Sequence, residues 1–275
     1  MEDCDKNPGH KQFIPVDKFT IDHLPEGHRD KDLFAMIGAG AELTVRISVT
    51  MISPDRPDVW PRTKVPYPLF NMKDSGNILR TGSGRVLEVE NKSEEECLCG
   101  DCRWSNKPSL DWWEVKVLTA ASLVFDYIEA QYLTIILFYD RTNCPAVILK
   151  DVVAVDVNIE RDICVLTFAT CDKKLGKKLM SLNKHFNDAL VKICTKYNEP
   201  TGKGGLMFII SHPHGGYKRV SVGHWNDKFK VHSGDKFTYT TSTCPGSTGA
   251  SVYFLGYDWY VHGGCLKSGL NYNCV

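Results

Sequence analysis

The hydrophobic period of this chain changes once, and that change limits the folds open to it. Between Asp172 and Tyr197, the residues Leu175, Leu179, Leu182, Phe186, Leu190 and Ile193 recur at helical steps, with Lys173, Lys174, Lys177 and Lys178 on the wet side. On either side the chain reads as strands. Trp113 to Thr119, Leu133 to Tyr139, Ala146 to Asp156 and Ile163 to Thr167 are β-branched and aromatic runs parted by turn residues such as Asp140-Arg141-Thr142-Asn143. A second strand-rich block runs from Leu206 to the C-terminus, after the loop Glu199 to Gly205. One helix between two strand-rich blocks favours antiparallel barrels joined by a linker over an alternating parallel sheet.

Two six-stranded barrels need roughly 200–250 residues, which the 275 residues supply with an N-terminal extension to spare. The expected architecture is all-β: two antiparallel six-stranded barrels, residues 80–171 and 204–275, an interdomain helix and loop at 172–203, and an extension at 1–79. Within the extension, residues 1 to about 30 read as a polar arm, poorly ordered or peripheral. Lys31 to Ile37 reads as a short helix, Ala41 to Val49 as a half-buried strand, and Pro54 to Pro68 as a proline-rich loop.

Thirty-three basic and thirty-three acidic residues cancel, so no global field draws the chain to nucleic acid or an anionic membrane. The polar start Met1-Glu2-Asp3-Cys4-Asp5-Lys6 lacks the apolar stretch of a signal peptide, which leads to the expectation of an intracellular, cytoplasmic or nuclear protein. No apolar run reaches membrane-spanning length; the longest, Tyr132 to Tyr139, is strand-sized. Eleven cysteines without an export signal read as reduced thiols or metal ligands.

Three fragments carry the functional expectation: Val117-Leu118-Thr119-Ala120-Ala121-Ser122, Arg161-Asp162-Ile163-Cys164-Val165-Leu166, and Cys244-Pro245-Gly246-Ser247-Thr248-Gly249-Ala250-Ser251-Val252. Their order and context resemble the trypsin-like, chymotrypsin-fold serine proteases, whose base, carboxylate and nucleophile follow in that order at intervals of about 45 and about 90 residues. Here the steps from Ser122 to Asp162 to Thr248 are 40 and 86. Arg80-Thr81-Gly82-Ser83-Gly84-Arg85-Val86 resembles the family's glycine-bearing opening strand, and the likeness covers about residues 80–275. It implies oxyanion-hole amides at Gly246 and Thr248. It also implies a substrate-pocket strand at Tyr260-Val261-His262-Gly263-Gly264. A histidine there, with the turn Ser211-His212-Pro213-His214-Gly215, is similar to glutamyl endopeptidases and picornaviral proteases, which recognise Glu or Gln side chains.

Two of the three triad positions depart from the family. Ser122 stands where the imidazole base belongs and Thr248 where the serine belongs; only Asp162 matches. A serine hydroxyl accepts no proton near neutral pH as imidazole does, and the threonine methyl crowds the attack. The expectation is therefore a catalytically impaired homologue, a pseudoprotease that binds a peptide or protein in the retained cleft. The alternatives are an endopeptidase acting through Thr248 with a Glu/Gln preference, and a barrel adapted to a nucleotide or other small molecule. For a substitute base, His212, His214 and His262 lie away from the base position by family alignment. His185 falls on the helix, and His23 and His28 lie on the arm.

A last signal is chemical rather than familial. Cys97-Leu98-Cys99-Gly100-Asp101-Cys102 gathers three thiols in six residues, which suits a structural zinc if a distant Cys or His supplies the fourth ligand. Trp112, Trp113, Trp225, Tyr257, Trp259 and Tyr260 read as barrel packing.

Overall fold

The computed structural model describes residues 4–73, 78–199, 204–231 and 234–275. The polar arm is docked along the second barrel, contributing the short strand β1 (Ile14–Pro15). Helix α1 (Lys31–Leu43) is capped by Asp30, whose side chain accepts from the Asp32 amide at 2.8 Å. It runs past Ile37 because Ala39, Ala41 and Leu43 continue the buried face. Strand β2 (Thr44–Val49) follows directly.

After the proline loop come β3 (Arg80–Ser93), the single turn α2 (Gly100–Arg103), β4 (Asp111–Thr119), α3 (Tyr127–Ala130) and β5 (Leu133–Leu137). The run expected as one strand from Ala146 to Asp156 is broken at Asp151, whose φ of 61° is left-handed, into β6 (Val147–Leu149) and β7 (Val152–Asn158). Strand β8 (Ile163–Thr170) completes the sheet. Its order is β6-β5-β2-β3-β4-β8-β7, so the two halves of the broken strand form its two edges. Only two residues join them, which brings one end of each edge strand together, and among the described residues no ladder pairs β6 with β7. Strand β2, from the segment preceding residue 80, is hydrogen-bonded between β5 and β3.

The linker helix α4 (Lys173–Lys196) begins at Asp172, whose carboxylate accepts from the amides of Lys174 and Leu175. Its face of Leu175, Leu179, Phe186, Ala189 and Ile193 is buried. Gly176 lets the helix lie against the Trp113 indole, and Gly40 lets α1 approach Phe186, a Cβ there standing 3.3 Å from its ring. The second block comprises β9 (Leu206–Ser211), β10 (Arg219–Val231), β11 (Gly234–Tyr239), β12 (Ser251–Phe254), β13 (Trp259–Cys265) and β14 (Asn271–Asn273). These pair in the ring β10-β11-β14-β13-β12-β9-β10, a closed six-stranded barrel, with β1 added to the edge of β10. The fold is mostly β, a chymotrypsin-like double barrel with few helices. No helix among the described residues is long and apolar enough to cross a membrane.

Candidate functional site

The glycines of β3 exist for close approach at the barrel junction. A Cβ on Gly82 would overlap Leu123 and stand 2.9 Å from the Thr248 carbonyl; one on Gly249 would overlap the Thr119 hydroxyl. The Ser83 amide donates to the Thr248 carbonyl at 2.8 Å, and the Thr119 hydroxyl donates to the Ser83 carbonyl at 2.8 Å. The first and third sequence fragments therefore meet across β3.

Ser122 sits just past β4 on a turn closed by the Leu123 and Val124 amides on the Ala120 carbonyl. That turn is pinned from the side by a buried ion network. Glu129 accepts from Arg56 Nε at 2.6 Å and Nη2 at 2.8 Å, from Arg80 Nη2, and from the amides of Ser53 and Phe125 at 2.9 Å. The two guanidiniums pass the restraint on: Arg56 Nη1 donates to the Ser122 carbonyl at 3.2 Å, and Arg80 Nε to the Leu123 carbonyl at 3.0 Å. Burial by itself would push Glu129 upward, but the Arg56 hydrogen bonds and the Arg56 and Arg80 charges hold it below the usual carboxylate range.

Asp162 occupies the tight turn before β8 with a φ of 55°, and is 6% exposed. Its Oδ1 accepts from the Ser122 amide at 2.7 Å and its Oδ2 from the Ser122 hydroxyl at 3.1 Å. The Cys274 thiol donates to the same Oδ2 at 3.3 Å. Burial pushes the Asp162 carboxyl up to about 6, against the pull of those three hydrogen bonds.

The fragment around Thr248 forms a β-turn, the Ser247 amide donating to the Cys244 carbonyl at 2.9 Å. Gly246 has a φ of 95°, and its carbonyl accepts from the Ser83 hydroxyl at 2.8 Å. Among the described residues, the amides of Gly246 and Thr248 donate to no protein acceptor, and no hydrogen bond joins the Thr248 hydroxyl to Ser122 or to a histidine. Ser247 points inward, its hydroxyl 3.1 Å from that of Ser211.

His262 is buried on β13, with Nδ1 2.7 Å from the Tyr239 hydroxyl, which also lies 3.1 Å from the Tyr272 carbonyl. Burial, with the nearby Lys6 ammonium, pushes its imidazole down to about 3, so it is neutral at physiological pH. Gly263 and Gly264 lie under Tyr272, where a Cβ would stand 2.8 Å and 3.1 Å from its ring and hydroxyl. His212 is likewise buried, its Nδ1 2.9 Å from the Gly216 carbonyl, and burial pushes it down to about 3. A cavity of about 620 Å³ reaches Asp162 between Trp60, Arg62, Lys236 and Tyr272, and includes neither Thr248 nor His262.

The three clustered cysteines do find a fourth. The sulfurs of Cys97, Cys99, Cys102 and Cys171 all lie within 4.8 Å of one another, with Cys99 and Cys171 3.7 Å apart. Zinc–sulfur bonds of about 2.3 Å in a tetrahedron set sulfurs about 3.8 Å apart, so this donor set fits the ion. Sequence reasoning missed Cys171 because its approach depends on β8 pairing with β4, Thr170 opposite Trp113.

No protein-family model matches this sequence, and no curated protein matches it. Among solved structures the chain is similar to the Rv3671c protease of M. tuberculosis in its active form, at 12% identity over 90% of this chain and 82% of that one, with a TM-score of 0.46. It is similar to Deg5 at 11% identity over 91% and 90% of the two chains, TM-score 0.49. It is also similar to the HtrA-type protease AlgW with tripeptide, at 12% over 88% of this chain and 58% of that one, TM-score 0.45. These are likenesses of fold alone.

Proposed function

We propose that this chain is a trypsin-like protease homologue whose proton relay is lost and whose remaining cleft binds a peptide or protein. In this reading Ser122, Asp162 and Thr248 hold the base, carboxylate and nucleophile positions. One observation carries it: the Ser122 amide and hydroxyl and the Cys274 thiol engage both oxygens of Asp162. A working triad needs that carboxylate to orient an imidazole, and a hydroxyl in its place cannot take the nucleophile's proton. What survives is binding equipment. The unpaired amides of Gly246 and Thr248 serve as donors to a backbone carbonyl, and His262, held by Tyr239 beside Gly263 and Gly264, meets a polar side chain. Interactions of this kind bind without turnover when the proton-transfer step is absent.

The test is a peptide-library cleavage assay on the native chain beside the double substitution Ser122→His plus Thr248→Ser. Cleavage by the double variant alone supports the reading. Cleavage by the native chain that is lost in Thr248→Ala overturns it in favour of a threonine-type endopeptidase. Activity in neither, with no peptide retained by the native chain, shifts the assignment to another ligand class, such as a nucleotide.

The same reading gives Cys97, Cys99, Cys102 and Cys171 a structural zinc, since an all-thiolate tetrahedron leaves no open position for chemistry.

A further inference from the structure

From the geometry of a second donor cluster we infer a Cys2His2 zinc site formed by Cys4, His10, His214 and Cys244, which clamps the N-terminal arm onto the turn leading to Thr248. Their ligand atoms all lie within 4.8 Å of one another. Cys4 Sγ is 3.4 Å from Cys244 Sγ, Cys244 Sγ is 3.4 Å from His10 Nε2, and His10 Nε2 is 3.1 Å from His214 Nε2. A tetrahedral zinc with bonds of about 2.3 Å to sulfur and about 2.05 Å to nitrogen has donor separations of about 3.8 Å (S–S), about 3.5 Å (S–N) and about 3.3 Å (N–N). Each observed edge lies within a few tenths of an ångström of its counterpart.

Several features show the four groups to be aimed rather than merely near. The two imidazoles present the same nitrogen to one point, edge to face at a centroid distance of 5.1 Å. Both histidines have left-handed backbones, φ 49° at His10 and 54° at His214, a region in which histidine is enriched, and this conformation turns each ring toward the cluster. Beside the cluster, Asn7 Nδ2 donates to Cys244 Sγ at 3.2 Å, as an outer partner does for a thiolate ligand. The sulfurs are too far apart for a disulfide, and a disulfide would leave two imidazoles with no role.

The placement gives the site a consequence. His214 belongs to the 213–215 turn, whose amides at His214 and Gly215 lie 2.8 Å from where a Gly246 Cβ would stand, and the His214 amide donates to the Pro245 carbonyl at 2.5 Å. Cys244 opens the turn that ends at Thr248. The arm is laid over the same stretch, Lys6 Nζ donating to Thr243 Oγ1 and Asn271 Oδ1 at 2.8 Å, and the Ser242 hydroxyl donating to Gln12 Oε1 at 2.5 Å. One ion thus ties three segments, the first more than 200 residues from the others in sequence, and fixes the loop that carries Gly246. Zinc release removes the link at Cys4 and His10 and leaves the arm held to that loop by the Lys6, Asn7 and Gln12 hydrogen bonds.

The experiment measures zinc per chain after purification without chelators, for the native protein and for His10→Ala and Cys244→Ser. The expected result is a loss of one equivalent in each variant, whatever the occupancy of the four-cysteine cluster. Unchanged zinc in the variants, or a native Cys4–Cys244 disulfide without zinc, overturns the site. Thiol alkylation of the native chain reads the site without mutation. Cys4 is expected to label at least tenfold faster once a chelator is added, while exposed Cys194 and Cys265 label at the same rate throughout. Equal Cys4 labelling with and without chelator also overturns the inference.

Discussion

Asp162 meets Ser122 twice, one carboxylate oxygen accepting from its amide at 2.7 Å and the other from its hydroxyl at 3.1 Å. Two elements 40 residues apart are held in register by a pair whose chemistry is that of a turn lock. Ser122 is in turn tethered by Arg56, and Asp162 by Cys274 near the C-terminus, so the pair links the proline loop, the first barrel and the last strand.

The Asp162 carboxyl sets a pH dependence with a definite sign. Its rise from 3.8 to about 6 means that the folded protein holds this proton more tightly than the unfolded chain does. The group's stabilising contribution is therefore fully present below about pH 4, falls away as pH rises to about 6, and is flat above. The size is about 3 kcal/mol. Unfolding free energies of the native chain and Asp162→Asn, compared from pH 4 to pH 7, are expected to diverge by that amount in favour of the variant. A constant difference across the range would contradict the burial argument.

Glu129 neutralises two guanidiniums, one of them on the fully buried Arg56. Glu129→Gln leaves those charges in a dry site and is expected to cost about 3–5 kcal/mol in chemical denaturation. Glu88→Gln, which removes a half-exposed partner of Lys116 at 2.7 Å, is expected to cost less than about 1 kcal/mol. The same denaturation curves check both, and comparable losses would show that the buried network does not restrain the Ser122 turn as its geometry requires.

Gly246 and Gly204 have nearly the same φ, 95° and 90°, in opposite surroundings. Among the described residues, a Cβ at Gly204 meets nothing within 4 Å, whereas one at Gly246 stands 2.5 Å from the His212 carbonyl and 2.8 Å from two amides. Gly204→Ala is expected to cost about 1 kcal/mol from the left-handed conformation alone. Gly246→Ala should cost that plus about 1–3 kcal/mol of overpacking, because backbone atoms cannot yield as a side chain does. Thermal denaturation of the two variants gives the difference directly.

The parts of the fold that follow from local pattern were legible in the sequence. The helix at Lys173–Lys196, the end of β4 and the start of β8 follow from side-chain period, and the nearness of Ser122 to Asp162 follows from the resemblance of two short fragments to a protease pattern; the start of β4 and the end of β8 lie two and three residues beyond the pattern. What escaped depends on pairing between distant segments. The arm is polar because its partners are the Thr243 and Asn271 polar groups, so its composition resembles that of an unattached tail. The break at Asp151 rests on one left-handed residue within a run of strand-forming side chains. His214 stands out in the sequence only as part of a turn and His10 not at all, and the two become neighbours only when β1 pairs with β10 through Ile14 and Val220.

Cys171 follows directly on β8, beside a loop that carries three other thiols, and the metal reading of that cluster makes a prediction separate from the arm. The cluster forms a small buried island with Trp112 and Ala169, separate from the main core. A bound zinc links the loop to the end of β8 and adds its binding free energy to folding. Cys171→Ser is therefore expected to lower zinc content by one equivalent and the melting temperature by several degrees, and chelation of the native protein should reproduce that shift. The melting temperature of Cys171→Ser should then respond less to chelator than that of the native chain. If the native chain and Cys171→Ser carry the same zinc, the four sulfurs are free thiols, and the loop is held by the Trp112 Nε1 hydrogen bond to the Glu95 carbonyl and its neighbours instead.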